Sequence, residues 1–390
     1  MNYTIMDYVH WRGEQNIKEY PYNEIDYLIF SELAYVHLDD IFSSQNIQPI
    51  TLFDAYQKYS ELYTDAPDPA FNESHYLFKE VAKAKRYRNV KILHFYNDVN
   101  KDFIKQFCAM AFLFEDQRVF VAYRGTDNTL IGWHEDFLML FENVIPSQTS
   151  SVHYLNFISE YTYSCSLWQS LHNQYLGSFK ERFKKHFKYK KEGLPLLIGG
   201  HSKGGNLAMY SGCFTNEKVQ ARIDKIYNFD GPGFQDDIIL SKQYQHMLPR
   251  IISYLPHYSF FGIVLGHEEQ YQTIQSQAIG MFQHNAFTWL LNKDGFIPDE
   301  LSYESVQFAI KVLLFLNDLS YENKKECINT MFGLFQALEL ETFTDLSHIT
   351  YKQIISGLKE ITSLQPSVRK MLIDVLHMIW LEAKKAKMPS

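Results

Sequence analysis

One serine in this chain stands where a hydroxyl can become a nucleophile. The segment Leu196–Tyr210 reads LLIGGHSKGGNLAMY and holds Gly200-His201-Ser202-Lys203-Gly204, a G-x-S-x-G pattern. It follows an apolar, strand-like run and precedes a helix-forming one. The spacing has a steric reason. A serine on a sharp strand-to-helix turn takes a strained backbone, and side chains two positions either side would strike the neighbouring strand and helix. Glycines relieve that collision and leave the hydroxyl above a sheet. The helix that follows aims its first N–H groups at negative charge developing beside the serine. A Gly-rich turn here can also cradle phosphate, but G-G-H-S-K-G-G is neither G-x-G-x-x-G nor G-x-x-x-x-G-K-[ST].

A serine hydroxyl is a weak nucleophile until a base takes its proton. On a strand–turn–helix scaffold the acid and the histidine follow the serine in that order, at the ends of later strands. Asp230 directly follows the strand-like KIYNF, in Phe229-Asp230-Gly231-Pro232-Gly233. That position predicts a carboxylate on the same rim as Ser202. The plain alternative is a cap on the Gly-Pro-Gly turn, and Asp236 and Asp237 are reserves that also suit a helix start. Six histidines lie beyond Asp230: His246, His257, His267, His284, His348 and His377. His284 lies in a loop soon after the last expected strand, with a helix-like Ala286–Leu291 behind it, the usual place for the base. His267, beside Glu268 and Glu269, competes but precedes that strand. His201, His257 and Tyr258 are candidates to line a substrate pocket.

Acyl transfer also needs two backbone donors for the oxyanion. The first is expected at the N–H of Lys203. For the second, RVFVAYRGTDNTLIG (118–132) runs an apolar strand into Arg124-Gly125-Thr126-Asp127, which points to the N–H of Thr126. A plain surface turn is the alternative there. Lys203 itself puts a charge beside the serine and suits an anionic acyl group, or else it is simply solvated.

Strands and helices alternate around these residues. Apolar runs at Phe107–Phe114 and Arg118–Tyr123, split by Glu115-Asp116-Gln117, predict an antiparallel hairpin. Leu194–Ile198, Lys225–Phe229, Arg250–Leu255 and Tyr271–Gln275 read as strands, with helices at Ala208–Phe214 and Asp236–His246. Such alternation predicts an α/β fold with a mostly parallel sheet covered on both faces. Residues 1–100 read as mostly helical, with helical faces at Asp26–Tyr35 and Tyr76–Ala84. A long aromatic-rich helix over 152–188 ends in the basic run Lys180–Lys191, read as a solvated helix end. From about 300 the chain reads as all-helical: Ser305–Leu316, Lys324–Leu338, Tyr351–Leu358 and Ser367–Lys384. We therefore expect a hydrolase domain over 1–298 and a helical subdomain over 299–390.

Composition sets the surroundings. The chain has 390 residues, 46% hydrophobic and 21% charged, which excludes a disordered or low-complexity scaffold. A net charge of -8 argues against nucleic acid as the main partner. Cys108, Cys165, Cys213 and Cys327 form no C-x-x-C pair, so neither a disulfide framework nor a thiolate zinc site is expected. No H-E-x-x-H or similar spacing occurs, and we expect no metal and no cofactor. No secretory signal and no membrane-spanning run are visible, which points to a cytoplasmic location.

Five segments carry a family resemblance. Tyr123-Arg124-Gly125-Thr126-Asp127, then Trp133-His134-Glu135-Asp136-Phe137, then Gly200-His201-Ser202-Lys203-Gly204-Gly205-Asn206-Leu207-Ala208 resemble class 3 lipases. Asn228-Phe229-Asp230-Gly231-Pro232-Gly233-Phe234 and Gln283-His284-Asn285-Ala286-Phe287-Thr288-Trp289 are similar to a bacterial branch, the Mbeg-like proteins. The resemblance covers about residues 1–290. It implies an α/β-hydrolase fold, a nucleophile at Ser202, an oxyanion donor at Thr126 and a base at His284. It implies no particular substrate. Class 3 lipases place the acid after the strand matching RIISYL, yet residues 238–267 hold no Asp or Glu. Either Asp230, one strand earlier, has that role, or the triad is incomplete. Two functions stay open: a serine hydrolase of lipid-like esters, and an idle α/β-hydrolase fold that binds or scaffolds. The apolar, aromatic tract Tyr254–Gly266 suits a greasy acyl group, or is simply core.

Overall fold

A computed structural model describes residues 3–42, 49–65, 71–173, 193–293, 295–317, 320–338 and 340–342, with isolated positions from 345 to 373. Eight strands form one sheet in sequential order: β1 (Ile50–Thr51), β2 (Lys91–Asn100), β3 (Lys105–Leu113), β4 (Val119–Tyr123), β5 (Leu196–His201), β6 (Ile223–Phe229), β7 (Ile251–Pro256) and β8 (Gln270–Ile274). The hairpin is present: β3 and β4 pair antiparallel, Ala109 opposite Tyr123. From β4 to β8 every neighbouring pair is parallel. Strand β5 is buried along its whole length, as befits an apolar run covered on both faces.

The helices are α1 (Ile5–Arg12), α2 (Glu24–Leu33), α3 (Leu52–Leu62), α4 (Asn72–Lys83), α5 (Leu130–Met139), α6 (Pro146–Asn173), α7 (Lys203–Phe214), α8 (Glu217–Gln220), α9 (Asp236–Ile239), α10 (Lys242–Met247), α11 (Tyr303–Asn317) and α12 (Tyr321–Ala337). Two apolar clusters flank the sheet. One joins α1 to α4 with Phe112, Phe120, Phe229 and Trp289; the other joins α6, α7 and α10 with Val121, Ile198 and Ile226. A mixed, mostly parallel sheet with helices on both faces and a serine elbow after β5 is the α/β-hydrolase fold.

The chain divides into two compact units. The first holds Met1–Asp98, Phe107–Gly125 and Ser147–Ala309, and the second holds Val99–Gln106, Thr126–Pro146 and Ile310–Ser390. Two early segments thus group with the C-terminal helices, a grouping that no composition change along the chain marks. In the second unit Leu130, Ile328, Met331, Phe332 and Phe335 form a small core. The basic run Lys180–Lys191 lies outside the described residues. So do the helices expected over 351–358 and 367–384, apart from isolated positions. Among the described residues no helix is long and apolar enough to cross a membrane.

Three differences from the sequence reading have physical causes. Strand β2 falls where helix was expected, because its buried Ile92, Leu93 and Phe95 keep no strict alternation and polar Asn97, Asp98 and Asn100 follow. The segment Asp236–His246 is two short helices, α9 and α10, because the Ser241 side chain caps a new start by accepting from the Tyr244 N–H at 3.2 Å. Helix α2 is buried on all sides from Ile25 to Leu33, so it shows no polar face.

Burying α2 requires its polar groups to be met. Asp26, wholly buried, accepts from Arg86 Nε at 2.9 Å, Arg86 Nη2 at 2.7 Å and the Tyr87 hydroxyl at 2.7 Å. It also closes the helix start by accepting from the Asn23 N–H at 2.9 Å. Removing one partner strands a buried charge, which is far more costly than losing a surface pair. Asp26→Ala is therefore expected to destabilise the protein by about 3–5 kcal/mol, read from the midpoint of urea unfolding. A change within 1 kcal/mol would show that this pair does not anchor α2.

Candidate active site

Ser202 and Asp230 are the first residues beyond two paired strands. His201 of β5 lies opposite Phe229 of β6 in parallel register, so the next residue of each strand emerges on the same rim. Both turn there with positive φ, 58° at Ser202 and 53° at Asp230, and neither is glycine. Such backbone conformations cost about 1–3 kcal/mol and persist only where the surroundings fix them. At Ser202 the fixing contacts are its N–H to the Phe229 carbonyl at 2.9 Å, and its carbonyl accepting from the Gly205 N–H at 2.9 Å. Asp230 donates its N–H to the Tyr254 carbonyl at 2.9 Å.

The glycines of the elbow stand where no side chain fits. A Cβ on Gly204 would lie 2.1 Å from the Tyr123 carbonyl oxygen, and one on Gly200 would lie 2.3 Å from the Gly204 carbonyl carbon. Each of these contacts sets a Cβ against backbone atoms and cannot relax by side-chain motion. Gly204→Ala is expected to lower stability by about 3 kcal/mol or more, seen as a depressed melting temperature. An unchanged melting temperature would refute the steric account of the spacing.

The carboxylate of Asp230 is wholly buried with both oxygens engaged. Oδ1 accepts from the Ser259 hydroxyl and from the Gly262 N–H at 3.2 Å. Oδ2 takes the Nδ1 of His284 at 2.6 Å. His284 ends the turn Gly280–His284, and its ring packs 4.4 Å from the Phe261 ring. A carboxylate that accepts only donors on Oδ1 and an imidazole N–H on Oδ2 fixes the ring's tautomer, leaving Nε2 as the basic nitrogen. Among the described residues no hydrogen bond joins the Ser202 hydroxyl to that ring, and the hydroxyl does not cap α7.

The rival acids are engaged elsewhere. Glu268 accepts from the Gln245 amide at 2.6 Å, and Asp236 and Asp237 sit in the first turn of α9. His267, the rival base, gives its Nδ1 to Glu269 at 2.8 Å. Glu269 also accepts from the Ser253 and Tyr244 hydroxyls, each at 2.6 Å. Burial opposes the Glu269 carboxylate, but His267 and these hydroxyls outweigh it and hold its pKa at about 2. This second histidine–carboxylate pair is a buried structural network between α10 and β7.

The residues read as pocket lining divide. His201 is buried, its ring 4.7 Å from the His284 ring. His257 is turned away, with Nδ1 donating to the Glu300 carbonyl at 2.7 Å and 3.5 Å from Asp299. Tyr258 meets the site through its main chain, whose N–H bonds to Gln283 Oε1 at 2.8 Å. Lys203 is not solvated: it is 1% exposed, because it opens a helix buried through Cys213. Thr126 belongs to the second unit, where its hydroxyl donates to Asp136.

Several site residues escape the sequence pattern. Ser259 and Gly262, inside the tract read as greasy, supply two of the donors on Asp230. Asn228 fixes the turn after β6, accepting from the Gly231 N–H at 2.9 Å. Asn206 on α7 holds the same turn by donating to the Gly233 carbonyl at 2.9 Å. Only the repeated Asn beside Gly-rich turns hints at these roles.

With this geometry in view, comparison with known families decides the lineage. The Mbeg1-like family profile matches residues 81–333, well over half the chain. The chain belongs to the Mbeg1-like family. Comparison with curated proteins gave no match. Among solved structures, M37 lipase is 15% identical, with 62% of this chain and 69% of that chain covered and a TM-score of 0.34. Lipase II from Rhizopus niveus is 12% identical over 67% of this chain and 92% of its own, with a TM-score of 0.32. The Rhizomucor miehei lipase propeptide complex is 11% identical over 47% and 57%, with a TM-score of 0.31. The family assignment rests on the profile and not on these distant likenesses.

Proposed function

We propose that this member of the Mbeg1-like family is a serine hydrolase that cleaves carboxylic esters with lipid-like acyl groups through an acyl-serine. The observation that supports it is the His284 ring held by a buried, fully engaged Asp230 on the rim that also carries the strained Ser202. In this reading Nε2 of His284 takes the Ser202 proton as Oγ attacks the ester carbonyl. The backbone N–H of Lys203, at the start of α7, receives the oxyanion. The leaving alkoxide takes the proton from His284 and departs as the alcohol. Water then enters, gives its proton to the same nitrogen, and releases the carboxylic acid and free serine.

Phe261 against the His284 ring, Phe260 against Phe261, and the exposed Ile279 and Phe282 in the segment leading into His284 favour an apolar acyl group over a charged one. The missing bond from the Ser202 hydroxyl to the ring favours a second reading, an idle fold that binds without cleaving. Catalytic hydrogen bonds are commonly loose before substrate arrives, so that observation alone does not overturn the first reading. A fluorophosphonate probe separates the two, since it labels an activated serine and ignores an idle one. A panel of p-nitrophenyl esters from short to long acyl chains then reads the substrate class. We expect labelling, and hydrolysis that favours medium or long chains. No labelling at any pH between about 6 and 9 would make the idle fold the better account.

A further inference from the structure

We propose that Glu32 is a positioning residue of the site: as a carboxylic acid it donates to His201 Nδ1, and so fixes the ring whose Nε2–H holds the main chain of His284. The proposal rests on the hydrolase reading for its catalytic consequence, though not for its chemistry.

The argument begins at the far end of the chain of bonds. His201 Nε2 lies 2.8 Å from the carbonyl oxygen of His284. A carbonyl only accepts, so Nε2 carries the hydrogen. In a neutral ring Nδ1 is then a lone pair in need of a donor. Two groups face it: Glu32 Oε1 at 3.2 Å and the Tyr35 hydroxyl at 3.4 Å. The same hydroxyl also reaches the His201 carbonyl at 3.4 Å, and one phenolic proton cannot serve both acceptors. Glu32 Oε1 is buried and finds no donor of its own. An ionised carboxylate there would face a lone pair across 3.2 Å with nothing to accept from. A protonated Glu32 gives its hydrogen to Nδ1 and leaves the Tyr35 hydroxyl to the His201 carbonyl. Both acceptors of His201 are then served.

The alternative, an imidazolium beside a carboxylate, holds the same number of protons but buries two charges, which burial disfavours. The surroundings agree. Glu32 lies on α2, wholly inside the fold. Burial first, and then the charge of Glu73 on α4, push its pKa up to about 8. His201 is driven well below the ordinary histidine value by burial and by the neighbouring His284. The titratable groups around the pair are Glu73, His284 with Asp230 behind it, and Tyr35. Glu73 also touches the site by accepting from Asn285 at 2.8 Å. Among the described residues no lysine or arginine pairs with Glu32 to hold it ionised.

His201 precedes the proposed nucleophile and its ring bonds to the main-chain carbonyl of the proposed base, so it ties the two segments together. As pH rises through about 8, Glu32 loses its proton and the link to Nδ1 is lost. Glutamine keeps a donor at that position at every pH, because its amide N–H₂ faces Nδ1 without titrating. Alanine keeps none.

Two measurements on the full chain test this. The first is the thermal midpoint of wild type and Glu32→Gln from pH 5 to 9. A carboxyl whose pKa is raised by folding binds a proton in the folded state that the unfolded state lacks, so stability falls as pH rises between the two values. The midpoint of Glu32→Gln is expected to gain on wild type from about pH 5 to about 8 and then level off. A pH-independent difference would overturn the protonated Glu32, whether or not the protein is an enzyme. The second is the rate of fluorophosphonate labelling. Wild type is expected to lose rate above about pH 8, Glu32→Gln to stay within about threefold and lose that alkaline limb, and Glu32→Ala to fall at least tenfold at pH 7. If Glu32→Gln falls as far as Glu32→Ala while both keep their folded midpoint, the donor role is wrong. If no variant is labelled, the hydrolase reading fails and the thermal series alone decides Glu32.

Discussion

Ser202→Ala is expected to abolish fluorophosphonate labelling and to lower ester turnover by about 10⁶-fold, with the fold intact. The magnitude follows from how a nucleophile, base and acid act: removing the nucleophile disables the whole unit, and only oxyanion and binding effects remain. The backbone adds a second, opposite expectation for Ser202→Gly. The φ of 58° and ψ of -135° at this residue belong to a region that a Cβ makes costly. Glycine removes the Cβ, so Ser202→Gly should be as inactive as Ser202→Ala yet more stable than wild type by about 1–3 kcal/mol. Thermal unfolding of the three proteins measures it. Strain kept at a residue whose hydroxyl makes no hydrogen bond among the described residues fits a hydroxyl with a use there. A Ser202→Ala protein that still hydrolyses esters at the wild-type rate would sink the hydrolase reading.

The rim of the sheet was legible because its residues follow local rules. Glycine spacing around Ser202 reports close backbone contacts a few residues away, and an aspartate directly after KIYNF reports a strand end. The hairpin and the strands β5 to β8 announce themselves as short apolar runs. What stayed hidden depends on neighbours remote in sequence. Nothing in the local sequence marks Glu32, and only the packing of α2 buries it against a histidine 169 positions later. Lys203 reads as solvated for the same reason. Ser259 and Gly262 were absorbed into an apolar tract because periodicity speaks for side-chain burial, whereas their role is one hydroxyl and one backbone N–H. Strand β2 was missed because Asn97, Asp98 and Asn100 disguise a strand whose buried residues cluster at its start.

Asp230→Asn should be nearly as damaging as losing the serine, and the reason lies in the donors around it. Oδ1 of Asp230 accepts from the Gly262 N–H and the Ser259 hydroxyl. A backbone N–H cannot reverse its direction, so an asparagine must place its carbonyl oxygen at that corner and turn its N–H₂ toward His284. The N–H₂ only donates. His284 must then present Nδ1 as a lone pair and carry its hydrogen on Nε2, the nitrogen that takes the Ser202 proton in the proposed reaction. The geometry survives with the wrong tautomer, and kcat/KM is expected to fall by about 10⁴-fold. The backbone tolerates the change, since asparagine accepts the φ of 53° better than other side chains. Asp230→Ala imposes no tautomer and should lose less activity at neutral pH. It also takes the acceptor from the buried Ser259 hydroxyl and leaves the Gly262 N–H with Ser259 Oγ alone, lowering stability by about 1–3 kcal/mol. The ordering is therefore crossed: the asparagine variant is the better folded and the worse catalyst. Melting temperatures and labelling rates of the two proteins decide it. Near wild-type labelling in Asp230→Asn would mean that Asp230 orients a turn and not a base, and that His284 draws its basicity from elsewhere.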